Sequence, residues 1–353
     1  MTKGAFSNSS TSKFARIAVV IPCYRTGERT LEVLSAIPEM ADMIYCVDDG
    51  CPDGTGAKIE AATRDPRVRV LKHKQNQGVG AATITGYRAA IADGAEVVVK
   101  IDGDGQMDPT DLHRFVMPLV EGRADYTKGN RFFRLEDVRE MPALRLIGNA
   151  VLTFFTKLST GYWNIFDPTN GYTAIHVGIL RTLPLDRISQ GYFFESDMLF
   201  RLGTIRAVVL DVPMTARYGN EKSNLRISKV VRPFLCSHIG NTIKRIFYSY
   251  YLRDFQVASV EILLGFLFMG FGIIFGGLAW ANSATNDQIT PAGTVMLAAL
   301  PIIIGFQMLL AALNYDIGNT PDKVLHKELL GRLIDQSITS CETQTDKSDT
   351  ASL

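Results

Sequence analysis

The sequence predicts an α/β protein: a Rossmann-like domain on a mainly parallel sheet, then an amphipathic helix, then a two-helix transmembrane hairpin. Three observations predict it. Short β-branched runs alternate with helical periods through the first two hundred residues, the pattern of βαβ units with right-handed crossovers. One run, Val97–Ile101, breaks into Asp102-Gly103-Asp104-Gly105-Gln106. Two long uncharged stretches occupy the last third: Ile262–Trp280, and Ala292–Leu313 with Pro301 inside it. A ~30 Å hydrocarbon core needs about 20 such residues.

Residues 1–14 are polar and expected to be disordered. Arg16–Ile21 reads as the first strand, ended by Pro22, with Cys23-Tyr24-Arg25 as a loop. Thr30–Pro38 is a short helix, and Met43–Val47 a second strand ending in Asp48-Asp49-Gly50. A carboxylate there accepts a base N–H or ribose hydroxyls, or it caps a helix or forms an Asx-turn; both readings stand. Thr55–Arg64 is the next helix and Val68–Leu71 the third strand. Gly78 and Gly80 then open a helix running to about Ala92. They suit an anion held at a helix N-terminus, or simple close packing.

Val97–Ile101 is the fourth strand. Side chains alternate along a strand, so Asp102 and Asp104 share a face if the extended geometry persists. Gly103 permits close backbone approach. Two hard oxygen ligands suit Mg²⁺ or Mn²⁺ on a diphosphate; the plain alternative is an acidic turn. Pro109–Val120 is a helix, and Asp125–Lys128 a strand leading to Gly129-Asn130-Arg131. Leu144–Leu158 is apolar almost all round, as a core helix or one at the lipid surface. Asp167–Gly171 is a turn before strand Tyr172–Ile175. Glu195 and Asp197 form a second carboxylate pair near the start of helix Ser196–Leu202, and Ala207–Val212 is a last strand.

Arg217–Asn224 is a basic loop, and a long helix spans 227–252 with Lys229, Arg232, Lys244 and Arg245 among its apolar positions. It suits an interfacial helix, a helix packed on the preceding domain, or both. From Arg217 to Asp254 eight Lys/Arg face only Glu221 and Asp254. That bias puts both hairpin flanks in the cytoplasm. The expected division is 15–225 for the α/β domain, 226–256 for the juxtamembrane helix, and 257–316 for the hairpin (spans near 259–281 and 291–314). A largely disordered cytoplasmic tail completes it over 317–353.

Net charge is +1, which gives no nucleic-acid signature. Five cysteines without metal spacing read as reduced thiols in a cytosolic setting.

In order, Val20-Ile21-Pro22-Cys23-Tyr24, Asp48-Asp49-Gly50, Asn76-x-Gly78-x-Gly80-Ala81-Ala82 and Asp102-Gly103-Asp104-Gly105-Gln106 resemble family 2 inverting glycosyltransferases of the GT-A fold. With Gly129-Asn130-Arg131, the Asp167–Gly171 turn, the basic loop and two membrane helices, the chain looks like the polyprenyl-phosphate branch. That branch includes dolichyl-phosphate mannose synthase and bacterial undecaprenyl-phosphate glycosyltransferases. The resemblance covers about residues 16–315.

It implies sugar transfer from a UDP- or GDP-linked donor to a polyprenyl phosphate at the cytoplasmic membrane face, with inversion. A bacterial inner membrane is the expected location, and homo-oligomers are allowed. Pro22, Tyr24, Asp48, Asp49 and Gly78 would line the nucleotide, with Asp102, Gly103 and Glu195 toward the sugar. Asp102, Asp104 and Gln106 would hold Mg²⁺ or Mn²⁺. Arg131, Arg217, Lys222 and Ser223 would hold the acceptor phosphate. Asp104, Asp197 and Arg131 would carry the chemistry, Asp197 as base if the acceptor were an alcohol.

Cys51 stands where many relatives have Ser, and Glu195-Ser196-Asp197 where mannose synthases often read Gln-x-Glu. No Gln-x-x-Arg-Trp of polymerising synthases occurs, which favours single transfer. Rival readings are a membrane-tethered transferase for a glycan or lipid alcohol, and a non-catalytic membrane partner. A nicotinamide dehydrogenase is disfavoured because the first strand ends in Pro22-Cys23-Tyr24 rather than a glycine-rich turn.

Overall fold

The computed structural model describes residues 15–133, 143–215 and 227–329, without the side chains of 143–147 and 227–231. Seven strands form one sheet: β1 (Ile17–Cys23), β2 (Met43–Asp48), β3 (Val68–Lys72), β4 (Val97–Lys100), β5 (Tyr126–Asn130), β6 (Thr173–His176) and β7 (Val209–Pro213). Their order is β3-β2-β1-β4-β6-β5-β7. Only β6 runs antiparallel to its neighbours, pairing with β4 and β5. The remaining pairs are parallel.

The strand alternation sorts side chains to two cores. Ala18 and Val20 join one cluster with Tyr87, Met198 and Leu199. Ile17, Val19 and Ile21 join the other with Val33, Ile59 and Phe115. Thus α3 (Val79–Ala92) and α7 (Phe194–Ile205) cover one face. The helices α1 (Gly27–Ser35), α2 (Thr55–Ala62) and α4 (Leu112–Val120) cover the other. The short α6 (Val177–Leu180) joins the α3 and α7 face, and α5 (Ala143–Thr160) follows β5 in the chain.

The first strand does not stop at Pro22. It continues to Cys23, with Pro22 opposite Val47. Val20 accepts from Ile101 N–H on the β4 side, and Cys23 accepts from Asp49 N–H on the β2 side. Pro22, two residues after Val20, therefore turns its nitrogen toward β4, which ended at Lys100. Proline removes no ladder bond there. The fourth strand ends one residue earlier than expected, so Asp102 through Gly105 form a turn rather than extended chain.

Beyond the sheet, α8 (Ile227–Ile246) passes into a π-helical turn, Phe247–Arg253. Its inner face packs on the α/β domain: His238 bonds Ser159 at 2.9 Å and Asn241 bonds Asp197 at 3.2 Å. Then come α9 (Val257–Thr285) and α10 (Ala292–Gly318), with α10 running through Pro301. Both are long and apolar enough to cross a membrane, and most of each is exposed. Small residues let them meet: a Cβ on Gly305 would lie 2.7 Å from the Gly265 carbonyl. Residues 319–329, assigned to the tail by the sequence, return to the sheet. Asp125 accepts from the Leu325 and His326 N–H groups, both at 2.9 Å.

Candidate active site

Strand order reverses between β1 and β4, and in open α/β sheets ligands bind beyond the strand ends at such a point. The loop after β1 supplies Tyr24, which is exposed, and the loop after β4 supplies Asp102 to Gln106. Gly103 is buried under α1, its carbonyl accepting from Thr30 Oγ1 at 3.1 Å. Asp104 Oδ1 accepts from the Gln106 N–H at 3.0 Å, which closes the turn. Burial, and then the neighbouring Asp102 charge, raise the Asp104 pKa above the ordinary carboxylate value. This carboxyl pair therefore favours a cation.

A cation does stand beside Asp102. Lys100, the last residue of β4, is fully buried, and its ammonium lies 2.6 Å from Asp102 Oδ1 and 3.1 Å from Glu195 Oε1. It also donates to the Gly171 carbonyl at 3.3 Å. Burial alone would lower its pKa; the Asp102 and Glu195 charges outweigh that and hold it above the ordinary lysine value. Gly171 has no alternative residue here, because a Cβ would run into Asp102 Oδ2 and stand 2.8 Å from Lys100 Nζ. The sequence reading did not single out Lys100. Its signal was present: it is the one charged residue of the apolar run Val97–Ile101, where a buried ammonium needs a carboxylate partner.

A second buried lysine, Lys128 on β5, donates to the Asn170 carbonyl at 2.6 Å. Burial lowers its pKa to about 8, against the opposing pull of Glu195 and Asp167. Arg131 is gripped by Asp167 through Nε–Oδ2 at 2.7 Å and Nη2–Oδ1 at 3.0 Å. The Asp167–Gly171 turn thus contacts both Arg131 and the Lys100 cluster.

Other expected residues have different surroundings. Asp197 is not brought to the Lys100 cluster: its carboxylate accepts from Ser189 N–H at 2.9 Å, Asn241 Nδ2 at 3.2 Å and Arg201 at 3.2 Å. These contacts tie the start of α7 to the 188–191 loop and to α8. At the start of α3 the expected anion position is filled by a protein carbonyl. Gln190 O accepts from Gly80 N–H at 2.8 Å and Ala81 N–H at 3.2 Å. Gly78, at φ +99°, seats the same loop, since a Cβ would come within 2.5 Å of Gln190 O. Close packing is the observed use of both glycines.

Asp48 caps the turn into α2, accepting from Cys51 and Gly56 N–H at 2.8 and 2.7 Å. Asp49 accepts from Gln77 and Gly78 N–H at 2.9 and 2.8 Å and bonds His73 Nδ1 at 2.8 Å. Asp48 thus holds the turn whose Cys51 Sγ accepts from the Arg25 N–H, next to Tyr24, at 3.2 Å, and Asp49 holds the loop at Gly78. Arg217, Lys222 and Ser223 lie outside the described residues. Among the described residues, no group of three or more His, Cys, Asp or Glu side chains stands at metal-binding spacing.

A mostly parallel sheet with an acidic turn at its switch point and two appended apolar helices is the architecture of a GT-A transferase with a candidate membrane hairpin. Residues 18–183 match the model described as Glycosyl transferase family 2. The polyprenol monophosphomannose synthase of Mycolicibacterium smegmatis is 32% identical over 205 residues, covering 57% of this chain and 77% of that protein. The undecaprenyl-phosphate mannosyltransferase of Micrococcus luteus is 33% identical over 206 residues, covering 57% and 83%. A UDP-N-acetylglucosamine–dolichyl-phosphate N-acetylglucosaminyltransferase of Methanococcus voltae is 28% identical over 216 residues, covering 57% and 86%. Among solved structures, glucosyl-3-phosphoglycerate synthase of Mycobacterium tuberculosis aligns with a TM-score of 0.49 at 21% identity, covering 66% of this chain and 80% of that one. The chain belongs to glycosyl transferase family 2, and that membership supports glycosyltransferase activity.

Proposed function

We propose that the protein transfers a sugar from a UDP- or GDP-linked donor to a polyprenyl phosphate, inverting the anomeric centre. The observation that carries this reading is the cluster Lys100–Asp102–Glu195 with Asp104 at the switch point, in a chain whose relatives are polyprenyl-phosphate sugar synthases. The apolar hairpin gives a place to meet a lipid-borne acceptor. The Lys/Arg excess before it favours a cytoplasmic site, on the inner membrane of a bacterium.

The donor set fits Mg²⁺ or Mn²⁺. Two carboxylates and an amide oxygen are hard ligands, and such ions take one or two carboxylates plus substrate phosphates. Asp104, Asp102 and Gln106 would hold the ion, and bound there it would neutralise charge growing on the departing nucleoside diphosphate. Tyr24 and Pro22 border the nucleotide, with Asp48 bracing the turn beside Tyr24 and Asp49 the loop at Gly78. Lys100 fixes the Asp102 and Glu195 carboxylates, so Glu195 can orient a donor hydroxyl. The attacking phosphate oxygen is anionic near neutral pH and needs positioning more than deprotonation. Arg131, held by Asp167, would supply a guanidinium for it, with Arg217, Lys222 and Ser223 proposed alongside. Asp197 is given no proton-transfer role.

The deciding experiment presents purified protein with UDP- and GDP-sugars and undecaprenyl phosphate, and reads released nucleotide and labelled lipid. Turnover that stops with EDTA, returns with Mn²⁺ and is absent in Asp104→Asn supports the proposal. Sugar transfer to alcohols but not to phosphates, or full activity in Asp104→Asn, would reject it.

A further inference from the structure

Asp316 lies near the end of α10, the sole acidic residue of that helix. Charged groups in apolar helices are costly and need partners. All four of its partners' donors come from outside the hairpin. Arg245 of α8 grips it in a fork, at 2.8 Å to Oδ1 and 2.9 Å to Oδ2. Tyr250 donates its hydroxyl at 2.6 Å, and Trp163, just past α5, donates Nε1 at 2.7 Å. Arg245 also donates to the Leu158 carbonyl of α5, at 3.1 Å from Nε and 2.9 Å from Nη2.

One helical turn earlier on α8, the buried Asn241 donates to Asp197. Asp197 sits two residues after Glu195 on α7. Residues four apart lie on one helix face, so one face of α8 holds the hairpin by Arg245 and the helix bearing Glu195 by Asn241. We infer that α8 is a strut, pinned at Asp316, that fixes the catalytic site relative to the bilayer, and that Asp316, Arg245 and Asn241 are positioning residues for a membrane-borne acceptor. The inference rests on the lipid acceptor proposed above. Two further bonds tie the same junction: Arg206 to Asn319 at 3.1 Å, and Arg253 to the Thr204 carbonyl at 2.9 Å. A strut that tilts leaves the site intact but misplaces a lipid whose depth the bilayer dictates. Small misplacements of reacting groups cost on the order of tenfold to a hundredfold in rate.

The test uses full-length protein in phosphatidylethanolamine/phosphatidylglycerol vesicles, with two acceptors: embedded undecaprenyl phosphate and water-soluble geranyl phosphate. Asp316→Asn keeps one acceptor oxygen, enough for Tyr250 or Trp163 but not both, and loses the Arg245 ion pair. It should raise KM for the embedded acceptor about tenfold, with kcat on geranyl phosphate and donor KM within about twofold. Trp163→Phe, a milder change, should move the same parameter in the same direction. Equal loss on both acceptors, or no change on either, overturns the strut.

An activity-independent arm places spin labels at exposed positions 181 and 257 in a Cys236→Ser, Cys341→Ser background. The distance distribution should broaden in Asp316→Asn; an unchanged width also overturns the inference. If wild-type protein uses neither acceptor, the proposed function fails, and the spin-label result alone decides the strut.

Discussion

Replacing Lys100 by Met removes the one positive charge that Asp102 and Glu195 share in the described structure. At 2.6 and 3.1 Å, an effective dielectric near 20 gives attractions of roughly 6 and 5 kcal/mol. Desolvation of the fully buried ammonium offsets much of this. Removing one partner of a buried pair nevertheless costs about 3–5 kcal/mol, because the other charge is left uncompensated. Lys100→Met should therefore lower the melting temperature of the detergent-solubilised protein by on the order of 10 °C. It should also abolish nucleotide release, since Asp102 and Glu195 would repel each other. Glu195→Gln in the Lys100→Met background removes one of the two orphaned charges, and should recover about 1–2 kcal/mol of stability. Thermal unfolding followed by tryptophan fluorescence, read across the two single variants and the double, closes the cycle. If Lys100→Met melts with the wild type, or the second substitution adds its full cost, the charge argument is wrong.

Gly171→Ala should cut turnover at least about a hundredfold and lower the melting temperature as well, because its methyl group displaces the Asp102 carboxylate from Lys100; kcat with the preferred donor is the readout. Lys128 predicts a pH effect on stability. Its folded pKa, about 8, lies below the ordinary lysine value, so the unfolded chain binds more protons between pH 8 and about 10.5 and stability rises across that window. The gain should approach about 3 kcal/mol and vanish in Lys128→Met, compared by denaturation at pH 7.5 and 10. Asp49→Asn should loosen the loop at Gly78 and weaken nucleoside diphosphate binding severalfold, measured by calorimetry, through loss of the charged acceptor for two backbone N–H groups.

Much of the fold was legible because it is written in local periods. The β-branched runs with helices between them specify a parallel sheet, and their alternation sorts Val19 from Val20 into opposite cores. The two apolar stretches declare helices of membrane-crossing length without reference to anything else. The acidic turn after β4 was likewise visible, since its position follows from the strand before it. Errors arose where a residue's role depends on what arrives from elsewhere. Gly78 and Gly80 suit an anion or close packing equally from sequence, and only the arrival of the 189–191 loop, with its Gln190 carbonyl, selects packing. Pro22 read as a strand end because its missing donor matters only if a neighbour continues alongside.

The sequence by itself determined the sheet, the switch-point carboxylates and the apolar hairpin, because each depends on residues within a few positions of one another. Only the tertiary structure decided that Lys100 joins Glu195 across 95 positions, that Asp197 turns to Asn241, and that Asp316 meets Arg245 across 71. Ion pairs of that range follow from the order of strands and the packing of whole helices. No local repeat encodes which distant side chain will supply a buried charge with its partner.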